Sequence, residues 1–251
     1  MDTDRARGPI RSYRVWDRTT RAFHWINVVC VLVLAVVGTL LLNGKTLGLS
    51  NDGSTLLKTV HAYVGYVFVL NLAWRLIWAF VGSRYARWHA MLPTGGGFTT
   101  ALRGQIRAVR AGHLAVYIGR SPLGRIMITM FILLMLVQAS TGLLLAGTDL
   151  YLPPFGAYFA DWVTGGDAQR LALLRPGSSD HVVSEAYDAM RAFRKPFKEA
   201  HEIGFYVLLV AILMHVAVNV LEELRHATGQ ISAMFSGVKR LPGKPMDEPE
   251  A

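Results

Sequence analysis

Two histidines, His201 and His215, lie fourteen residues apart in the apolar stretch AHEIGFYVLLVAILMH. Fourteen residues complete almost four turns of an α-helix, so both imidazoles leave the same face, about 21 Å apart along the axis. Imidazole nitrogens are good ligands for transition metals, and ionisable residues inside apolar helices are usually functional. A helix of this kind can hold two cofactors stacked across a membrane.

The composition predicts a membrane protein. Hydrophobic residues make up 52% of the 251 residues and charged residues only 17%, whereas soluble domains have about 25% charged residues. The apolar residues form four runs of about 20 residues, the length that a membrane-spanning helix needs. The first run is too long for a signal peptide and no small-residue cleavage site follows it, so we expect it to stay as an anchor. The predicted spans cover residues 18–42, 57–82, 124–147 and 198–224.

The distribution of Lys and Arg predicts the orientation of these spans. Seventeen of these residues lie in the two terminal segments and in the loop after the second span, against eight in the other two loops. Because cytoplasmic segments are enriched in Lys and Arg, we expect both termini and loop 83–123 to be cytoplasmic. Loop 148–197 then faces outward.

The predicted fold class is an all-α integral membrane protein. Its four-transmembrane-helix bundle forms one domain over residues 1–251, in the bacterial cytoplasmic (inner) membrane. The net charge of +9 follows from this topology, and nucleic-acid binding is not needed to explain it. The single cysteine, Cys30, excludes an internal disulfide, an iron–sulfur site and C-x-x-C-H haem attachment.

Depth in the membrane arranges four histidines into two pairs. His61 and His201 begin helices that enter from outside, which places both near the outer face. His24 begins the first helix on the cytoplasmic side, and His215 lies in the cytoplasmic half of the fourth. Each pair, His61–His201 and His24–His215, would supply two axial imidazoles to one haem iron, an arrangement suited to electron transfer because it leaves no open coordination site. Polar helix–helix contacts or a metal-ion pathway are the alternatives.

The same fourteen-residue interval recurs on two other helices. Gly38 follows His24 by fourteen residues and would leave room for a porphyrin at the level of the outer haem. Arg75 follows His61 by fourteen residues, and a haem propionate is a natural partner for a cation at the inner level. Gly65 and Gly204 would let a flat macrocycle approach. Ordinary helix packing and, for Arg75, snorkelling to the interface are the alternatives.

The long loops also carry helical patterns. An Arg-rich segment of loop 83–123 is expected to form a surface helix. In loop 148–197, apolar residues recur at near-helical spacing from Val183 to Phe197, which favours an amphipathic helix on the outer membrane face or against a partner. We expect Pro196 to occupy the first turn of the fourth span. Thr141-Gly142 is expected to pack against a cofactor or a neighbouring helix. Four further histidines are expected at the solvated surface: His89, His113, His181 and His226.

The segments VWDRTTRAFHW, KTVHAYVGYVFVLNLAWRLIWAFVG, HEIGFYVLLVAILMHV and ISAMFSGVKR resemble the prokaryotic di-haem b-type cytochromes. The closest resemblance within them is to the cytochrome b subunit of membrane-bound nickel–iron hydrogenases. It covers residues 13–82, 124–147 and 197–240 and implies four helices, two haem b groups and electron exchange with membrane quinone. The family's ligands fall on the same four histidines. RAFRKPFKEAHE also resembles stand-alone members with other redox partners.

The leading hypothesis is a di-haem cytochrome b that carries electrons between an outer redox protein, such as a hydrogenase, and the membrane quinone pool. Whether the chain itself has quinone reductase or quinol oxidase activity, and whether it forms a homodimer, is left open. A stand-alone quinol- or superoxide-linked oxidoreductase is the second hypothesis. An assembly anchor for a soluble complex and an ion transporter are two further ones.

Overall fold

The structure is a computed structural model that describes residues 10–112, 116–226, 229–242 and 245–247. Both chain ends, predicted to be cytoplasmic, and His113 lie outside the described residues. The elements, in chain order, are β1 (Ile10–Arg14), α1 (Arg18–Leu42), α2 (Asn51–Val81), α3 (Trp88–Met91), α4 (Phe98–Arg110), α5 (Pro122–Leu150), α6 (Gly156–Thr164), α7 (Ala168–Leu173), α8 (Ser184–His226), α9 (Gln230–Ser236) and β2 (Val238–Pro242).

Four of these helices, α1, α2, α5 and the stretch Ser184–Leu224 of α8, are long and apolar enough to cross a membrane. They confirm the four apolar helices predicted from the sequence. Each exposes large aliphatic side chains, and residues such as Leu32, Leu70, Leu133 and Leu213 are each more than half exposed. Exposed leucines at this density are typical of helices whose outer faces contact lipid tails rather than water.

Helix α8 is much longer than the predicted span. It begins at Ser184 and contains Pro196 in its interior, so the expectation that Pro196 lies in the first turn of the fourth helix is wrong. The predicted amphipathic helix of the outer loop is the first part of α8 and not a separate element. At 1.5 Å per residue, its 43 residues extend over about 64 Å, about twice the thickness of a bilayer core.

The chain divides into two compact units, and each long helix contributes one end to each of them. The first unit comprises Met1–Trp25, Ala73–Leu133 and Leu209–Ala251. The second unit comprises Ile26–Leu72 and Leu134–Leu208. Since His24 and His215 belong to the first unit and His61 and His201 to the second, each predicted pair lies within a single unit.

The first unit contains a small sheet that the all-α prediction overlooks. Strand β1 pairs antiparallel with β2, from Ile10 opposite Pro242 to Arg14 opposite Val238. Neither IRSYR nor VKRLP has the strict apolar–polar alternation by which a strand is recognised in a sequence. The sheet adjoins a cluster of buried side chains formed by Val15, Trp16, Ile118, Ala233 and Leu241.

Lys239 is buried in this part of the first unit, with only 2% of its surface exposed. Its Nζ donates to the carbonyl oxygens of Gly119 at 3.0 Å and Tyr117 at 3.4 Å. The ammonium also lies 5.6 Å from the centre of the Trp16 ring. Burial lowers the pKa of Lys239 to about 8, although Asp247 counteracts part of this effect.

The second unit has its own cluster, in which α6 packs against the first part of α8. Phe159, Val163 and Met190 form its buried centre, and Trp162 and Tyr187 pack around them. The backbone N–H of Val183 donates to the carbonyl oxygen of Val163. Part of the long loop is therefore a folded structure that supports the helix carrying His201.

The low pKa of Lys239 predicts that this part of the first unit becomes more stable in mild alkali. In the unfolded chain the amine keeps its ordinary pKa near 10.5, so between pH 8 and 10.5 the unfolded state binds more protons. Stability therefore rises with pH across this window, by up to about 3 kcal/mol. Pulsed hydrogen exchange of β1 and β2, corrected for intrinsic rates, should show increasing protection. K239M should clearly reduce this slope, and equal slopes in both proteins would contradict the prediction.

Candidate functional site

His61 and His201 face one another in the second unit. Their ring centres are 6.2 Å apart and the ring planes are inclined by 73°. Two imidazoles that bind one metal ion from opposite sides, through bonds of about 2.0–2.1 Å, would have ring centres about 6 Å apart. Nδ1 of His61 is buried and has no hydrogen-bond partner. The predicted outer pair is thus brought together at a separation that suits a shared metal ion.

The His201 ring is oriented by Thr141 on α5. Nδ1 of His201 lies 2.8 Å from Thr141 Oγ1, and the Thr141 hydroxyl lies 2.7 Å from the carbonyl oxygen of Val137. Since a hydroxyl has one proton, which it donates to the carbonyl, its oxygen accepts the N–H of His201. The proton then sits on Nδ1 and the lone pair on Nε2, the tautomer that a metal ligand needs.

Glycines lie against both rings of this pair. A Cβ added to Gly38 would meet Cε1 of His61 at 3.4 Å, and one added to Gly142 would meet Cε1 of His201 at 3.3 Å. Gly38 thus contacts the imidazole of His61 itself. Gly65 has open space in front of it, whereas Gly204 packs against the side chain of Gln138. Of the four glycines, only Gly65 borders free volume, and a Cβ on Gly204 would meet Gln138 at an ordinary van der Waals distance of 3.4 Å.

His24 and His215 both lie in the first unit. Nδ1 of His24 is buried without a hydrogen-bond partner. Nδ1 of His215 lies 3.3 Å from Met127 Sδ and 3.3 Å from Asn219 Nδ2, and Phe131 packs edge-on against the His215 ring. The two histidines thus share one unit, and the groups against the His215 ring are Met127, Asn219 and Phe131.

Arg75 lies in the same unit and is 2% exposed. Its Nη2 donates to the carbonyl oxygen of Ala86 at 3.0 Å and to Met91 Sδ. The guanidinium lies 5.8 Å from the centre of the Phe23 ring. Nη1 is buried and has no hydrogen-bond partner, which costs free energy unless an acceptor is supplied. Arg75 is thus buried in the protein, and one of its donors is free for an anionic group.

A charged group near the His61–His201 pair was missed by the sequence analysis. Asp149, at the end of α5, accepts from Lys58 Nζ at 2.8 Å and pairs with Arg194 of α8. Lys58 precedes His61 by one helical turn. Lys58 and Asp149 border apolar runs in the sequence, and that position was a signal that could have identified them. Arg194 lies within the charged segment RAFRKPFKEAHE and gave no such signal. The three side chains link α2, α5 and α8 and have a net positive charge.

These observations define a class of protein: a membrane protein whose apolar helices bury paired imidazoles suited to metal ligation. The chain matches the family model of prokaryotic cytochrome b561 over residues 15–237. It therefore belongs to that family, and the resemblance found in the sequence is confirmed. The family binds haem b and transfers electrons across the membrane, and the chain is a multi-pass protein of the bacterial inner membrane.

Curated relatives carry the same kind of name. A probable Ni/Fe-hydrogenase B-type cytochrome subunit of Rhizobium leguminosarum bv. viciae is 27% identical, over 90% of this chain and 88% of the relative. One of Cupriavidus necator is 22% identical, over 92% and 88% of the two chains. A probable Ni/Fe-hydrogenase 1 B-type cytochrome subunit of Escherichia coli K12 is 37% identical over 82 residues, which is 30% of this chain and 34% of the relative.

The residues of the two histidine pairs fit haem b. A haem iron takes two axial imidazoles, and the His61–His201 separation allows one metal ion between the rings. Unpaired buried nitrogens on His61 and His24 are consistent with imidazoles that wait for a metal or another ligand. The open space at Gly65 and the free donor of Arg75 suit a macrocycle with acidic substituents.

The close approach of Gly142 to the His201 ring predicts that a larger residue at position 142 impairs haem binding. Because even a Cβ would lie 3.3 Å from the His201 ring, G142L must displace that ring and should lose on the order of half of the bound haem. S140L is the matched control, since Ser140 is exposed on the same helix. Pyridine-haemochrome quantification on purified protein gives the measurement. Equal haem contents in G142L and S140L would contradict the interpretation.

Proposed function

We propose that this chain carries electrons through two haem b groups between a redox partner on the outer side and the membrane quinone pool. The observation that carries the proposal is the His61–His201 pair, with ring centres 6.2 Å apart. The α8 members of the two pairs, His201 and His215, are fourteen residues apart. A continuous helix separates these two levels by about 21 Å.

The four histidines are the proposed axial ligands: His61 with His201 for the outer haem, and His24 with His215 for the inner one. When bound, haem supplies an iron that is reversibly oxidised and reduced by one electron. With two imidazoles as its ligands, the haem would have no open position for oxygen, and this would suit it to electron transfer. Thr141 holds the His201 tautomer that ligation needs, as its hydrogen bonds indicate.

Three groups around the ligands have supporting roles in the proposal. Arg75 would donate its free Nη1 to a propionate of the inner haem. Gly65 would leave room for the edge of the macrocycle. Gly38 has no Cβ that could press against the His61 ring, so that ring could keep its orientation. The apolar helices around both pairs would limit water at a bound haem, so that its surroundings would change little when its charge changes.

The proposed partners follow from the relatives' names and from the predicted topology. Since the relatives are named Ni/Fe-hydrogenase cytochrome subunits, a nickel–iron hydrogenase is the proposed electron donor on the outer side. Quinone, as the acceptor, would dock from the lipid near one haem. By the positive-inside rule, both termini and the segment between α2 and α5 would lie in the cytoplasm.

Replacing one ligand should remove one haem and stop electron flow across the membrane. H201A and H215A should each bind about one haem instead of two, and transfer should fall at least about 100-fold, the upper end of the loss seen for indirect ligand partners. H89A is the matched control, because His89 is exposed and lies on the short helix α3. The assay uses vesicles with a membrane-impermeant reductant outside and ferricyanide trapped inside.

The outcome also separates the alternative functions. An assembly anchor would keep its role in H215A, and an ion transporter would show no haem spectrum in any variant. Unchanged electron transfer in both H201A and H215A would contradict the proposed route. A wild-type protein that transfers electrons but does not associate with a hydrogenase would favour the stand-alone quinol- or superoxide-linked oxidoreductase.

A further inference from the structure

A cleft of about 510 Å³ opens in the first unit, where the chain enters α1 and leaves α2. It belongs to neither histidine pair. Two aromatic side chains, Trp16 and Tyr85, form part of its wall. Its polar lining comes from Arg14, Asp17, Arg18, Arg21, Ser83, Arg84 and Ser236.

The single carboxylate in the cleft is already engaged. Asp17 accepts hydrogen bonds from the hydroxyl of Ser83, the indole N–H of Trp78 at 3.3 Å and the backbone N–H of Thr20 at 2.6 Å. Burial alone would raise the pKa of Asp17, but these hydrogen bonds outweigh it and hold the pKa below its ordinary value. Asp17 is thus an ionised group held by neutral donors, and the four arginines are left without an equal number of acids.

The arginines have donors to spare. Arg21 uses Nη1 on the carbonyl oxygen of Phe235, while its Nε is buried without a partner. Arg14, Arg18 and Arg84 are exposed, and within the described part of the chain none of them forms an ion pair. The Arg84 guanidinium lies 5.7 Å from the centre of the Tyr85 ring. A concave site with this excess of guanidinium groups favours an anion.

The cleft lies where the membrane interface is expected. Helix α1 begins at Arg18 and α2 ends at Val81, so the lining residues flank the ends of two apolar helices. Lipid phosphates lie at this level, and Trp and Tyr are enriched there. The cleft has the size of a small-molecule site. A planar guanidinium group can donate two parallel hydrogen bonds to two oxygens of one phosphate.

We propose that this cleft binds the phosphate headgroup of an anionic phospholipid. The arginines bind the phosphodiester oxygens, and Trp16 and Tyr85 contact the glycerol carbons. A zwitterionic choline headgroup is bound less well, because its ammonium is repelled by the same arginines. The site involves no haem ligand, so it stands whether or not the electron-transfer proposal holds.

Native mass spectrometry of the haem-loaded, delipidated protein in detergent tests the proposal. The probes are phosphatidylglycerol and phosphatidylcholine with identical acyl chains. We expect a first phosphatidylglycerol adduct with an affinity about tenfold or more above that of phosphatidylcholine, as expected when several cations face one anionic lipid. Equal affinities for the two lipids would overturn the proposal.

Matched variants locate the site. R14Q/R18Q should reduce the first phosphatidylglycerol affinity about tenfold. R103Q/R107Q removes the same charge from exposed positions of α4 and should reduce it less than about twofold. Equal losses in both double variants would show only a general attraction of charge and would overturn the proposal.

Two further readouts exclude other anions. Millimolar inorganic phosphate that displaces phosphatidylglycerol completely would mean that the cleft binds free phosphate, against the lipid assignment. A loss of haem from R14Q/R18Q would mean that these arginines serve a haem propionate, which also overturns it. Full haem content together with selective loss of phosphatidylglycerol supports the proposal and shows that the variant is folded.

Discussion

An imidazole inside an apolar helix has no water to bind, and this constraint governs the arrangement of the protein. Each ring nitrogen must be satisfied by a protein group or by a ligand. His201 has Thr141 as a partner for Nδ1, whereas the Nδ1 atoms of His61 and His24 have none. Facing imidazoles with free nitrogens, held on separate helices, are unfavourable alone and favourable around a shared metal ion.

The surrounding structure can be understood as the means of holding these rings in place. On the second unit's helices, Asp149 pairs with Lys58 and Arg194, which ties together three helices near the histidine pair. Glycines on α1 and α5 let the backbones come close to the rings without a clash. In the first unit, the two-stranded sheet and the cluster around Trp16 hold the chain before α1 against the chain after α8.

Charge is concentrated at the ends of the apolar helices. Arg75 is an exception that is buried among apolar groups with one free donor. The arginine cleft beside Asp17 is a polar feature of a different kind, because it is open to its surroundings and lies beyond the helix ends. Membrane proteins must avoid unpaired charge in the bilayer core, while the interface offers phosphates as partners.

Much of the site could be predicted from the sequence, because the spacing of residues in an α-helix determines which of them lie on the same face. The apolar runs and the depth of each histidine along its helix were enough to indicate that His61 would lie near His201. The continuity of α8 through Pro196 could not be predicted, since proline occurs both at the start of helices and within them. The Asp149 ion pairs and the sheet depend on contacts between distant segments, which no local pattern records.

The number of haems per chain tests the central claim most directly. Purified protein should give a reduced-minus-oxidised spectrum of haem b and, by pyridine haemochrome against protein concentration, about two haems per chain, each with two axial imidazoles. A stoichiometry of one, or a spectrum with an open coordination site that binds carbon monoxide, would contradict the assignment of four histidines to two haems.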